Sequence, residues 1–412
     1  MPGTLSTPST PKSRMRRDLE ALLAQDAGQI RRKCAALFDR LHRTDAPIVL
    51  GRKMLAAFAR HGVTVSSFAD NNQALHGTWV NGVEVLSAAA AARAYGTTAT
   101  FIVSVFVGSG GVRQQLLDLG CTNVMPFYPA LWKYADDLLP HYVFDLPHKV
   151  LEAAPQVLAA YELLADDASR AEYLANVRWR IDPQYSDLPP PAGHEIYFPH
   201  DLFAVRDDEV FVDCGGFDGD TLASFLRRTP SGICDAVVFE PDPRNFRKLA
   251  AFVETLPAST SQAVEMHQAA VGSHESVLRL ETRSSTSSSV SGTGETEIPC
   301  LAIDATLGER AATFIKMDIE GAEPAAIEGA ARQIRLHQPL LALSAYHSQE
   351  HLWQLPLQVH ALHPDYRYFI RHYAEEPVDA LVVYAVPPGR FIVPAGRHSG
   401  SAGGPPAGEQ QA

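Results

Sequence analysis

The 412-residue chain is poor in cysteine, short of basic residues and free of long apolar runs. Its five cysteines, Cys34, Cys121, Cys214, Cys234 and Cys300, lie far apart and form no CxxC pair. That spacing argues against a zinc site and a disulfide framework and points to a reducing compartment. No metal is expected. Lys and Arg number 35 against 47 Asp and Glu, leaving a net charge of −12. Phosphate binding needs a basic face, so nucleic acid is not expected as a partner. No apolar stretch approaches membrane-spanning length, and the first 23 residues hold no core of signal-peptide length. No membrane span is therefore expected, and the cytoplasm is the simplest address.

What remains is an ordinary globular composition, 46% hydrophobic and 20% charged, in a chain long enough for two or three domains. Residues 1–15 and 391–412 are Ser/Thr/Pro- and Gly/Pro-rich and are expected to be disordered tails. A helix is expected over 16–43. Residues 44–135 alternate as strand 47–50, helix 51–61, strand 63–68, helix 87–95 and strand 100–107, then helix 110–120 and strand 122–126. That pattern predicts a small Rossmann-like α/β domain with a parallel sheet. Residues 136–204 form a connector, helical over 148–180. It is interrupted by "DLPPPAGHE" (187–195), whose prolines cannot continue a helix. The alternation restarts in a second α/β domain, 205–390. Strands are expected at 209–213, 236–240, 264–268, 313–318 and 339–345, with helices at 220–228, 243–254 and 322–336. An antiparallel hairpin, 366–373 and 379–387, closes this mostly parallel sheet.

The stretch "VFVDCGGFDGDT" (210–221) reads as a buried strand, a tight turn and a helix start. A dinucleotide turn would carry G-x-G-x-x-G to cradle a pyrophosphate. Here the glycines are Gly215, Gly216 and Gly219, so that fingerprint is missed. Asp213, Asp218 and Asp220 would also repel a pyrophosphate, by roughly 1–4 kcal/mol per close pair. A cationic nucleoside suits them better, and S-adenosylmethionine carries a sulfonium, an ammonium and no phosphate. Glu240, at the end of the next strand, stands where a carboxylate can hold two ribose hydroxyls.

Four stretches, "FVDCGGFDGDT", "FEPDPRNFRKL", "QAAVGS" and "FIKMDIEGAEPAAIEGA", occur in order with fitting spacing. Together they resemble the successive motifs of the FkbM family of S-adenosylmethionine-dependent methyltransferases, over about residues 205–385. The resemblance implies a class I methyltransferase fold and methyl transfer, typically to a hydroxyl oxygen of a sugar or natural product. It also implies a cofactor-binding set. Asp213, Cys214, Gly215, Phe217, Asp218, Gly219 and Thr221 would surround the methionine end. Glu240 would take the ribose, flanked by Pro241 and Asp242, and Ala269 and Ala270 would lie near adenine.

A second constellation closes "FIKMDIEGAE". Lys316, Asp318 and Glu320 share a face if the strand persists that far, at the sheet edge where ligands bind. Asp318 and Glu320 are candidates to polarise or deprotonate an acceptor hydroxyl, or to steer the cofactor ammonium, with Lys316 tuning them. Alternatively, Lys316 pairs with a carboxylate and Glu320 opens the next helix. His347, after the fifth strand, is a candidate general base. The low-complexity stretch 281–297 is expected to be a mobile surface loop and could serve as a lid. In the amino-terminal domain, Gly51 stands alone where a glycine-rich turn is needed and Asp70 follows the second strand. Nucleotide binding there is not expected; scaffolding, dimerisation or acceptor presentation is. The expected activity is O-methylation of a small-molecule or glycan acceptor by in-line displacement, by a chain compatible with homo-oligomerisation. An NAD-dependent nucleotide-sugar enzyme and an inactive two-domain scaffold are the alternatives.

Overall fold

The computed structural model describes residues 10–41, 52–104, 109–182, 189–229, 235–282, 288–290, 296–374 and 380–392. The strand expected at 47–50 and nearly all of the carboxy-terminal tail lie outside these residues. Part of the amino-terminal tail does not: a helix spans Pro11–Leu23, with Pro11 at its first position and the Thr10 side chain accepting from the Ser13 amide. Thr-Pro is a helix start signal that the Ser/Thr/Pro composition masked. The single helix expected over 16–43 is two, Pro11–Leu23 and Ala27–Leu41, because the Asp26 side chain accepts from the Gly28 amide and starts the second.

The amino-terminal strands are short: β1 (Phe68–Ala69), β2 (Trp79–Val80), β3 (Val83–Leu86), β4 (Thr100–Val103) and β5 (Asn123–Pro126). Among the described residues β1, β3 and β2 make one mixed sheet, while β4 and β5 pair separately and in parallel; the strand expected at 47–50 is not among them. The antiparallel pair β2–β3, which the expected alternation did not contain, comes from "VNGV". Asn81 and Gly82 both take positive φ, 50° and 79°, and turn β2 back on β3 as a hairpin.

The larger sheet comes from buried strands. β6 (Val210–Cys214), β7 (Asp235–Phe239) and β8 (Val264–His267) are followed by a smaller sheet of β9 (Ala270–Val271), β10 (Ser276–Thr282), β11 (Ser288–Val290) and β12 (Thr296–Leu301). Then come β13 (Phe314–Met317), β14 (Leu340–Ser344), β15 (Arg367–His372) and β16 (Leu381–Val386). The main order is β15-β16-β14-β13-β6-β7-β8. Its four pairings from β14 to β8 run parallel, and β16 inserts antiparallel between β14 and β15. β13 and β14 are buried at every position, as expected for strands covered on both faces. The chain runs outward from β6 to β8, then crosses back to β13 beside β6. That reversal opens a crevice at the carboxyl ends of β6 and β13.

The loop expected over 281–297 is partly strand. β10 pairs antiparallel with both β11 and β12. Alternating "SVLRLET" and "TEIPCL" carried the strand period that the Ser/Thr-rich middle obscured. The helix expected over 322–336 is split at Ala330 into Glu323–Gly329 and Ala331–His337.

The proline-rich connector lies against the main sheet. The Ala192 amide bonds to the His372 carbonyl (2.7 Å), and Phe198, Leu202 and Phe203 are buried. Arg371 of β15 ties it down, reaching Asp166 at 2.7 Å, Asp201 at 2.9 Å and the Ser169 hydroxyl at 3.0 Å. Arg371→Ala is expected to cost about 2–3 kcal/mol. This is less than a fully buried pair, because each aspartate side chain keeps about a third of its surface exposed. Denaturant unfolding checks this, and a change below about 0.5 kcal/mol would assign the tie no weight.

Candidate active site

The crevice holds a cavity of about 530 Å³. β6 and β13 deliver its floor. Lys316 and Asp213 are direct partners in the parallel register, so their side chains emerge side by side. Lys316 Nζ donates to Asp213 Oδ1 at 3.0 Å and to the Gly215 carbonyl at 2.7 Å. Both side chains are buried. The pair is asymmetric. Asp213 Oδ2 is buried with no hydrogen-bond partner, and burial pushes the Asp213 carboxyl up to about 6 despite Lys316. Burial acts to lower Lys316, but Asp213 and Asp318 outweigh it and hold its proton more firmly than usual.

The turn after β6 needs its glycines. Gly215 has φ +89°, and a Cβ there would lie 2.0 Å from the Asp318 carbonyl oxygen. The amides of Gly215 and Gly216 both bond to the Phe239 carbonyl at 2.9 Å, which folds the turn against β7. The helix Asp220–Leu226 starts at once, and Asp220 and Thr221 face the cavity.

Glu240 follows β7 and is buried. Its two oxygens accept one amide each, from Phe217 and Asp242, both at 2.8 Å. Each oxygen keeps a further lone pair. Burial pushes Glu240 up to about 7, with the two amides pulling the other way. Pro241, Asn245, Ala269, Ala270 and Val271 continue this end as a largely apolar slot.

At the opposite end stands Asp318. Tyr197 donates to its Oδ2 at 2.8 Å, Tyr346 donates to its Oδ1 at 2.9 Å, and His347 Nε2 lies 3.3 Å from Oδ1. Burial would raise Asp318, but His347, Lys316 and the two hydroxyls overcome that and hold it below the ordinary carboxylate value. His347 is bound on its other side too, with Nδ1 2.8 Å from Glu323 Oε1. Burial works against its charge, yet Glu323, Asp318 and Glu320 raise it to about 9. Glu323 is itself buried. It accepts from the Ile319 amide at 2.9 Å and is held low by His347 and His351 against the cost of burial. Asp318, Glu323 and His347 place ligand-type atoms within 4.8 Å of one another, although these same atoms already pair together.

The structure brings Gly215, Phe217, Thr221, Glu240, Pro241, Ala269, Ala270, Lys316, Asp318 and Glu320 to one cavity wall. Asp213 lies just beneath it, bonded to Lys316. Cys214 belongs to the hydrophobic core, where burial raises its thiol. Asp242 caps the helix Pro243–Glu254, accepting from the amides of Arg244 and Asn245. Asp218 and Gly219 shape the turn without lining the cavity. The strand ends at Met317, so the shared face expected for Lys316, Asp318 and Glu320 breaks off before Glu320. Glu320 takes φ +55° and sits exposed on the cavity wall.

Sequence reasoning missed Tyr197, Tyr346 and Ala380. Tyr197 comes from the proline-rich connector, its amide held by the Tyr384 hydroxyl at 3.1 Å and its ring facing Lys316 Nζ at 5.2 Å. No local pattern marks it. Seven described non-glycine residues have positive φ, and four of them, Tyr197, Phe217, Glu320 and Ala380, line this cavity. Backbone strain of this kind persists where a site over-determines it.

Residues 213–376 match the family model described as the methyltransferase FkbM domain. The structure is similar to that of a methyltransferase FkbM from Methylobacillus flagellatus KT, at 21% identity and a TM-score of 0.65, over 87% of this chain and 100% of that one. That likeness shows a shared fold. A precorrin-6y C5,15-methyltransferase from Geobacter metallireducens GS-15 matches at 10% identity and TM-score 0.29, over 44% and 81% of the two chains. Fibrillarin from Aeropyrum pernix, in complex with S-adenosyl-L-methionine, matches at 12% and 0.27, over 44% and 68%. Scores that low carry no argument. No curated protein matches the chain.

Gly215→Ala adds a left-handed backbone strain to a backbone clash and is expected to destabilise by roughly 3 kcal/mol. Thermal and denaturant unfolding measure it. An alanine variant as stable as its parent would mean that the turn yields freely and is not held by Asp318.

Proposed function

We propose that this chain, which carries a domain of the FkbM family of S-adenosylmethionine-dependent methyltransferases over residues 213–376, methylates a hydroxyl on a sugar, glycan or glycosylated small molecule. One observation carries the cofactor assignment: a buried carboxylate oxygen, Asp213 Oδ2, has no partner beside a cradle that a single Cβ would fill. A cofactor ammonium suits that oxygen, and the Glu240 lone pairs suit two ribose hydroxyls. The slot at Ala269 and Ala270 suits a planar base. Lining acids Asp220, Glu240, Asp318 and Glu320 disfavour a pyrophosphate.

Bound S-adenosylmethionine supplies an electrophilic methyl carbon on a sulfonium. The residues of the chain hold, orient and take a proton. Lys316 fixes Asp213 and the Gly215 carbonyl together, so the turn is set before ligand arrives. Asp318, Glu320 and the hydroxyls of Tyr197 and Tyr346 offer hydrogen-bonding partners for a polyhydroxylated acceptor at the open end. Alignment supplies most of the rate for such a displacement. Glu320 is the group we assign to receive the acceptor proton and pass it to solvent. Its residue surface is exposed, but its carboxyl is crowded by Asp318 and Glu323 and raised, by burial first. Asp318, held low, is the poorer base. His347 keeps its proton at neutral pH between two carboxylates, so we assign it to positioning Asp318. We place the catalytic unit at 205–390 and give β1–β5 a scaffolding or acceptor-presenting role.

Calorimetric titration with S-adenosylhomocysteine, with NAD in parallel, tests the cofactor. One site per chain for the first and none for NAD is expected. Glu240→Gln and Asp213→Asn should each weaken binding about tenfold or more, since each removes charge-assisted hydrogen bonds of about 1.5–3 kcal/mol. Unchanged affinity in both variants would remove the assignment.

Affinity should also depend on pH. Asp213 and Glu240 must be ionised to accept from the ligand, and they titrate at about 6 and about 7. Binding is therefore strongest above pH 7 and weakens as pH falls through 7 and then 6, with proton release on binding in that window. For the unliganded fold the sign is opposite. Both groups are raised above their unfolded values, so the stability they contribute is present at low pH and lost as pH rises through about 6 and 7. A flat affinity between pH 5.5 and 8 would contradict these protonation states.

A further inference from the structure

Among the residues lining the cavity, Lys316 is the one cation, set against Asp220, Glu240, Asp318 and Glu320. The groups beneath the lining sharpen the imbalance. Lys316 is matched by Asp213 at 3.0 Å, and His347 is matched by Glu323 at 2.8 Å. Three carboxylates, Asp213, Asp318 and Glu323, thus face two cations, and Asp318 has only a share of His347, 3.3 Å from its Oδ1, because Glu323 holds the other ring nitrogen. Its side chain keeps 27% exposure, whereas Asp213 and Glu323 keep none. A negative charge in a mostly desolvated wall is costly unless a cation meets it.

Tyr197, Tyr346 and His347 fix where that charge points. Both tyrosines donate to Asp318, and the Tyr197 hydroxyl also lies 3.3 Å from the Ser344 hydroxyl. The Asp318 carbonyl packs on Gly215 and its amide bonds to the Cys214 carbonyl at 3.0 Å, so the Asp318 backbone lies against the turn that follows Asp213. The cofactor carries two cationic groups a short alkyl chain apart. Asp213 and Asp318 both act on Lys316, so two carboxylates stand about one lysine.

We propose that Asp318, held by Tyr197, Tyr346 and His347, is the seat of the donor's sulfonium charge, so that the site discriminates the charged donor from its neutral sulfide product. This rests on the reading of the cavity as an S-adenosylmethionine site. It assigns Tyr197, which precedes the matched domain, and Tyr346 as positioning residues. It also gives product release a cause: once the methyl group has left, Asp318 is again met only by the His347 that it shares with Glu323, and the sulfide is held less tightly.

The test needs no acceptor. Affinities of the full-length chain for S-adenosylmethionine, S-adenosylhomocysteine and the analogue bearing a primary ammonium in place of the methylsulfonium are measured by calorimetry. Both cations should bind about tenfold more tightly than the sulfide. Asp318→Asn should bring the donor-to-product affinity ratio close to one. Glu240→Gln should weaken all three ligands alike and leave the ratio unchanged. A ratio unaltered in Asp318→Asn, with both ligands still bound, overturns the proposal and leaves the cofactor assignment standing. Should Asp318→Asn fail to fold, the wild-type chain decides: an ammonium analogue bound no better than the sulfide overturns it. Absence of all binding in the wild type overturns the cofactor assignment and this proposal together.

Discussion

The ion pair between Lys316 and Asp213 is the contact on which the rest of the site depends. It joins β13 to β6 at the crossover point of the sheet, and a second Lys316 bond, to the Gly215 carbonyl, extends it into the turn. A buried pair of this kind adds little net stability, because desolvation consumes much of the Coulombic gain. Its value is geometric. With Lys316 committed to one carboxylate oxygen and one carbonyl, the other Asp213 oxygen is left buried and unsatisfied. Such a group is costly in the empty fold and valuable in the liganded one.

The same exchange recurs around the cavity. Glu240 is buried and raised, and Tyr197, Phe217, Glu320 and Ala380 hold unfavourable backbone angles. The sheet, buried on both faces, carries these costs. An aromatic cluster stiffens the layer below, with Phe211 stacked on Phe225 at 4.2 Å and Phe314 edge-on at 5.2 Å from Phe211. The connector adds a further wall. Its Tyr197 reaches Asp318 because Phe198 and Phe203 are buried and Arg371 anchors Asp201. A segment outside the matched domain thereby contributes to the most highly charged part of the site.

Much of the fold was visible in the chain. The strands at 210–214, 235–239, 314–317 and 340–344 are apolar runs bounded by turn residues, and their alternation with helices required a parallel sheet. The elements that escaped were those whose signal was short or overprinted. The β2–β3 hairpin rested on one Asn-Gly pair. β10 and β12 lay beside a serine-rich stretch that suggested a loop. The break between the helices at Ala330 was marked only by Gly329, a single glycine inside a helical pattern. In the site, carboxylates after strands were identifiable by place, since Asp213, Glu240 and Asp318 each end or follow a buried run.

Residue type and spacing along single elements determined that the second half of the chain would form a mostly parallel sheet. They also determined that acids rather than phosphate-binding glycines would stand at its edge. These are local facts, set by the period of a strand and by the charge of a side chain. Tertiary structure alone decided the pairing. Lys316 meets Asp213 across 103 residues, and Tyr197 meets Asp318 across 121. It decided that Cys214, next to Asp213, and Asp242, two residues after Glu240, face the core and a helix end. It decided that His347 stands between Glu323 and Asp318, which close on it from both sides. Protonation and partnership depend on what surrounds a group in three dimensions, and that surrounding exists only once the crossover has brought distant strands into register.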